Sequence, residues 1–130
     1  MKVFIADDSR VIRGRLVALL SDLAGVEICG QAEDAFSAIK EIRALAPDVV
    51  ILDIHFPGSS SGIFVLERIK RERNAPVIIM LTNYSDQQYR KRCIDAGAAF
   101  FFDKSTEFEK VPEVLSTLVS NLTRPSPVHD

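Results

Sequence analysis

The chain contains no tryptophan and only two cysteines, and aromatic residues make up just 8% of it. A disulfide-framed secreted domain is therefore excluded as the organising principle. Cys29 and Cys93 fall in core-like stretches of different elements and read as buried free thiols in a reducing compartment. Charge of one sign is also lacking. Sixteen basic residues stand against 18 acidic ones, a formal net charge of −2, which gives no electrostatic case for direct binding of nucleic acid or of an anionic membrane. The longest apolar run, Ala96 to Phe102, is far too short to span a bilayer. The N-terminus turns apolar at once and meets Asp7-Asp8, so it lacks the shape of a signal peptide. Internal repeats and low-complexity tracts are missing too. What is present is 130 residues with 47% hydrophobic and 26% charged side chains. That is enough for one globular domain with a proper core, expected in the cytoplasm.

Strand and helix signals alternate five times, the pattern of an α/β domain with a parallel sheet. Val49-Val50-Ile51-Leu52-Asp53 is the centre of it: four apolar residues, as in a strand buried on both faces, running into a carboxylate. The loop after it, from His55 to Gly62, cannot continue a strand and leaves Asp53 open on one side. Val3 to Ala6 forms an earlier strand ending in Asp7-Asp8. Ser9 caps the helix that follows, with Ile12, Leu16, Leu19, Leu20 and Leu23 on one face and Gly25 as its stop. Val26 to Ala32 alternates poorly, as suits a strand near the sheet edge. Asp34 caps a second helix that ends before Pro47. Gly62 to Arg71 reads as a third helix. Val77 to Thr82 reads as a second fully buried strand ending in a hydroxyl. Asp86 caps a fourth helix, Gln87 to Ala96, whose apolar stripe (Tyr89, Cys93, Ala96) is thin. Phe100 to Asp103 is the last strand, followed by Lys104. Thr106 with Glu109 fits a capping box for the final helix. Pro112 sits badly deep in a helix, so a short first turn and a main helix starting near Pro112 are expected.

In a parallel sheet the strand ends bring Asp7, Asp8, Asp53, Thr82 and Lys104 to one edge, where open α/β sheets place their chemistry. Two carboxylates ~4 Å apart repel by roughly 4 kcal/mol at an effective dielectric near 20. A cluster of this kind calls for a cation, and an all-oxygen donor set favours Mg²⁺ or Mn²⁺ over Zn²⁺. Each residue alone has a plain structural explanation as a cap, a turn residue or a solvated side chain. Their conjunction, each at the end of a strand, points to phosphoryl chemistry on Asp53.

In this order the five residues, with Pro57 four positions after Asp53, resemble the response-regulator receiver domain of two-component signalling, over about residues 2 to 122. The resemblance implies a flavodoxin-like, three-layer fold: a five-stranded parallel sheet ordered 2-1-3-4-5 with five helices. It implies that Asp53 accepts a phosphoryl group from a histidine kinase or a histidine phosphotransfer protein. Asp8, Asp53 and the backbone carbonyl of His55 would be direct metal ligands, and Asp7 would act largely through metal-bound water. Thr82 and Lys104 would address phosphoryl oxygens. Thr82 and Phe101 would form the switch, read out to a downstream effector at the face of the fourth helix, fifth strand and fifth helix, near Tyr89, Arg90, Lys91 and Arg92. The kinase side would meet the first helix near Arg10 and Arg13. Residues 1–123 would form the receiver domain, and 124–130 a tail or the start of a linker.

Some features depart from the family pattern. Ser105 follows Lys104 where the family usually has a proline in a cis peptide. The Pro57–Gly62 loop is one residue longer than usual. Phe101 has no hydroxyl to keep in water, so an inward ring is expected without phosphate. His55 and Tyr84, two residues past Asp53 and Thr82, would hinder an attacking water and prolong the phosphorylated state. The rival reading is a Mg²⁺-dependent phosphohydrolase with an aspartyl nucleophile, of the haloacid-dehalogenase type. That type places an Asp-x-Asp pair after its first strand, whereas here the pair is adjacent and Asp53 is followed by Ile54-His55. A third reading, a scaffold with a disused site, sits badly with the intact set of five residues.

Overall fold

The computed structural model describes residues 1–58 and 60–123; the tail expected over 124–130 lies outside them. Ten elements alternate: β1 (Lys2–Ala6), α1 (Arg10–Leu20), β2 (Glu27–Ala32), α2 (Ala35–Leu45), β3 (Val49–Leu52), α3 (Gly62–Lys70), β4 (Val77–Thr82), α4 (Gln87–Asp95), β5 (Phe100–Asp103) and α5 (Lys110–Thr123). The strands form one sheet in the order β2-β1-β3-β4-β5, and all neighbours run parallel. This is the expected flavodoxin-like architecture, with β2 at an edge.

Strand periodicity sends alternate side chains to opposite faces, and two cores result. Phe4, Val50, Leu52, Ile78, Met80 and Phe101 pack with α2, α3 and Cys93 of α4. Val3, Ile5, Val49, Ile51, Ile79 and Phe102 pack with Leu16 and Leu20 of α1 and Val111 and Leu115 of α5. Both cysteines are free, Cys93 buried and Cys29 half-buried.

The caps expected at Ser9, Asp34 and Asp86 form, and Ser61 caps α3 as well. Ser9, Asp34, Ser61 and Asp86 each accept a backbone N–H three residues on, which satisfies a donor the helix itself cannot. Two boundaries differ from expectation. Helix α1 ends at Leu20 with Ser21 as its C-cap, because Ser21 and Asp22 favour turn geometry over helix. Gly25, at φ +81°, lies instead in the connection to β2, where a Cβ would stand 2.7 Å from a Val119 methyl. The capping box at Thr106 and Glu109 does not form. The Thr106 N–H donates to Asp103 Oδ1 (3.2 Å), the Asp103 N–H donates to Glu107 Oε1 (3.1 Å), and α5 starts at Lys110. Pro112 then lies in the first turn, where its missing N–H has no helical partner to lose.

Candidate functional site

The carboxyl ends of β1, β3 and β5 bring three side chains together. Lys104 Nζ lies 2.7 Å from Asp7 Oδ2 and 2.7 Å from Asp53 Oδ2. All three side chains are buried, at 7% exposure or less. The second oxygen of each carboxylate is also held: Asp7 Oδ1 accepts the Ser9 N–H (2.8 Å), and Asp53 Oδ1 accepts the Ile54 N–H (2.7 Å). Burial pushes the Asp7 carboxyl above its usual range, with the hydrogen bond from Lys104 opposing it. Burial pulls the Lys104 ammonium down, but the hydrogen bonds to Asp53 and Asp7 outweigh it and leave the group above its ordinary value. Lys104 is therefore a fixed positive charge at neutral pH.

Asp8 is exposed. Asp7, Asp8 and Asp53 each present an oxygen within a 4.8 Å cluster. Three carboxylates against one ammonium leave a formal excess of two negative charges. That excess and the all-oxygen donor set fit a hard divalent cation.

Thr82, at the end of β4, is fully buried, and its Oγ1 accepts the Tyr84 N–H (3.1 Å). The Lys104 N–H donates to the Thr82 carbonyl (3.0 Å), so the lysine and the threonine are joined through their backbones. Among the described residues no peptide bond is cis, and Lys104–Ser105 is thus trans. His55 is exposed, and its ring stands 5.8 Å from that of Tyr84, which in turn meets Tyr89 at 5.9 Å. A file of three rings thus runs from the loop after Asp53 to α4. Phe101 is 3% exposed, turned inward as expected.

Three participants were not visible in the sequence. Gly62 packs so closely on the Asp53 backbone that a Cβ there would lie 1.7 Å from the Asp53 carbonyl oxygen, and its N–H donates to the Ile54 carbonyl (2.6 Å). Arg13, expected to face a partner, instead donates from Nη1 to the Asp7 carbonyl (2.7 Å) and is only 13% exposed. Arg90 lies over the Phe101 ring at 4.8 Å from its centroid, donates to the Phe101 carbonyl (3.1 Å) and pairs with Glu107 at 3.6 Å. No periodicity or spacing marks these contacts, because each depends on how two consecutive elements come together in space.

A doubly wound five-stranded sheet with clustered carboxylates and a lysine at its carboxyl edge defines the CheY-type class of α/β domain. The chain belongs to the response regulator receiver domain family, whose model matches residues 3–116, and it is thus a receiver domain of two-component systems. It is 27% identical over 115 residues to the response regulator GacA of Pseudomonas aeruginosa, covering 88% of this chain and 53% of that protein. It is 33% identical over 123 residues to protein-glutamate methylesterase/protein-glutamine glutaminase 1 of Caulobacter vibrioides, covering 94% of this chain and 36% of that one. Among solved structures, the isolated receiver domain of RcsB from Salmonella enterica, determined with the phosphomimetic BeF3⁻, superposes with a TM-score of 0.83 at 27% identity, covering 91% of this chain and 87% of that one. The CheX–CheY–BeF3⁻–Mg²⁺ complex from Borrelia burgdorferi gives a TM-score of 0.82 at 27% identity, covering 91% and 88%. The chain spans about half the length of the curated regulators it matches. These matches do not favour the phosphohydrolase reading. No described helix is long and apolar enough to cross a membrane.

Proposed function

We propose that the chain is a phospho-acceptor switch in which Asp53 takes a phosphoryl group from the phosphohistidine of a kinase or phosphotransfer protein. The observation that carries this is the Lys104 ammonium held 2.7 Å from Asp53 Oδ2 at the sheet's carboxyl edge. A carboxylate oxygen of Asp53, through a lone pair its hydrogen bond does not use, attacks phosphorus, the P–N bond to histidine breaks, and an acyl phosphate forms. The transition state is loose with its charge spread, so positioning and neutralisation do most of the catalysis. Lys104 is built to pair with one phosphoryl oxygen, and Thr82 to donate its hydroxyl to another. Asp7, Asp8, Asp53 and the His55 carbonyl are the groups that would hold Mg²⁺ or Mn²⁺. When bound, the ion neutralises phosphoryl oxygens.

In this reading residues 1–123 form the working domain. The transfer partner approaches over α1 near Arg10, and a downstream effector reads the face of α4, β5 and α5. As Thr82 turns toward the phosphoryl group, Phe101 keeps or deepens its inward position. His55 and Tyr84 flank the site and restrict the approach of a hydrolytic water.

Incubation with Mg²⁺ and acetyl phosphate, followed by intact mass, tests the proposal. One added phosphoryl group is expected, absent in Asp53→Ala, with slow decay that quickens in His55→Asn/Tyr84→Ala. Unchanged mass, or steady-state turnover of the phosphodonor far beyond single-site decay, contradicts it.

A further inference from the structure

The outer side of α2 and α3 carries a surface that the phosphoryl site does not use. Phe36 is 81% exposed, the most exposed large apolar side chain among the described residues. It does no work in the core, where Ala35, Ala38 and Ile42 supply the buried face of α2. Across from it on α3, Phe64 is 36% exposed, and the Arg68 guanidinium lies 5.7 Å from its ring centroid. Between the helices runs a groove of about 430 Å³, with Phe36, Ile39 and Phe64 as its apolar lining and Lys40, Arg43 and Arg68 as its charged residues. A solvated helix face is normally polar; two exposed phenyl rings lining one groove are the mark of a recognition surface.

The charge is one-sided. Every ionisable residue lining the groove is basic, although the whole chain carries −2. Arg43 is paired with Glu72 at 2.6 Å, while Lys40 and Arg68 have no carboxylate partner among the described residues. We propose that this groove docks an acidic amphipathic helix of a partner protein, its apolar side chains seated between Phe36 and Phe64 and its carboxylates meeting Lys40 and Arg68. Helix-in-groove recognition uses apolar anchors at i, i+3/i+4 and i+7, and complementary rim charges set encounter rate and register. A second copy of this chain fits less well, since a two-fold interface would set the same cations against each other. Nucleic acid would want a longer basic track than three residues on an acidic chain. None of the residues lining the groove is one of the phosphoryl-site residues or belongs to α4, β5 or α5, so the proposal does not require phosphorylation.

An NMR titration without phosphodonor or Mg²⁺ tests it. The probe is a synthetic helix of leucine and glutamate with leucine at one helical face, compared with the same helix carrying lysine for glutamate. The glutamate helix is expected to shift amides of α2 and α3 and to weaken as salt is raised. Its affinity should fall roughly tenfold in Phe36→Ser and again in Lys40→Glu/Arg68→Glu, a size typical of losing an exposed anchor or charge pair. The lysine helix should leave the spectrum unchanged. The proposal is overturned by absence of binding, by equal binding of both helices, or by shifts confined to other elements. It is equally overturned if sedimentation shows the chain self-associating through Phe36, or if an oligonucleotide perturbs the same amides. Phe36→Ser removes an exposed ring and should fold; were it not to, the charge-reversed variant gives the same test.

Discussion

Two buried carboxylates meet one ammonium at Lys104, so truncating that lysine leaves Asp7 and Asp53 facing each other unneutralised. Removing one partner of a buried ion pair costs roughly 3 kcal/mol or more. Lys104→Ala is expected to lower the unfolding free energy measured by urea titration by that order without added cation, and Lys104→Ala/Asp53→Ala to recover most of the loss. Cys93 offers a second residue-level test. Burial pushes its thiol up to about 11 from an ordinary 9.0. Above pH 9 the unfolded chain gives up that proton while the folded chain keeps it. Stability from this group is therefore full below about pH 9 and falls as pH rises toward about 11. Across that range the urea midpoint of the wild type should fall relative to that of Cys93→Ser, which lacks the titrating thiol. At this scale the placement was legible where a residue ended a strand: Asp7, Asp53 and Lys104 meet at the carboxyl edge, and Thr82 ends the strand beside them. Gly62, Arg13 and Arg90 were not legible, since their roles are set by close approach in three dimensions rather than by a pattern along the chain.

Helix α4 buries only Cys93 completely, and its apolar stripe is thin, as its sequence indicated. Much of what fastens it is polar. Arg90 ties α4 to β5 and to Glu107, which itself accepts from Lys110 at 2.9 Å; a Ser85 hydroxyl donates to Asp103 nearby. An element with few buried contacts opens at low free energy. Hydrogen exchange should therefore find α4 the least protected of the five helices. Arg90→Ala should speed exchange in α4 and the β5–α5 turn while changing global stability by less than about 1 kcal/mol. Uniform acceleration across the sheet would contradict this picture. Helix starts were readable where a single Ser or Asp side chain makes the cap, as at Ser9, Asp34 and Asp86. The cap of α5 was not, because Asp103 accepts the Thr106 N–H that Glu109 was expected to hold.

For the molecule as a whole, the alternation of five strands with five helices was enough to read the architecture, since a parallel sheet covered on both faces admits few arrangements. If Asp7, Asp8 and Asp53 hold a divalent ion as proposed, the native state alone binds it. A ligand at a hundred times its dissociation constant stabilises by about 2.7 kcal/mol. Mg²⁺ titration should therefore raise the melting temperature by several degrees, and removal by EDTA should reverse the gain. Asp8→Ala, which loses an exposed carboxylate and no core contact, should melt as the wild type does in EDTA and be insensitive to the ion.

Phe101 and Phe102 are neighbours on one strand, yet they belong to opposite cores. In the proposed switch the turning ring at position 101 lies on the α4 side of the sheet, while Phe102 packs with α1 and α5. The α4 side then meets the ring directly, and α5 is reached only through the backbone of β5.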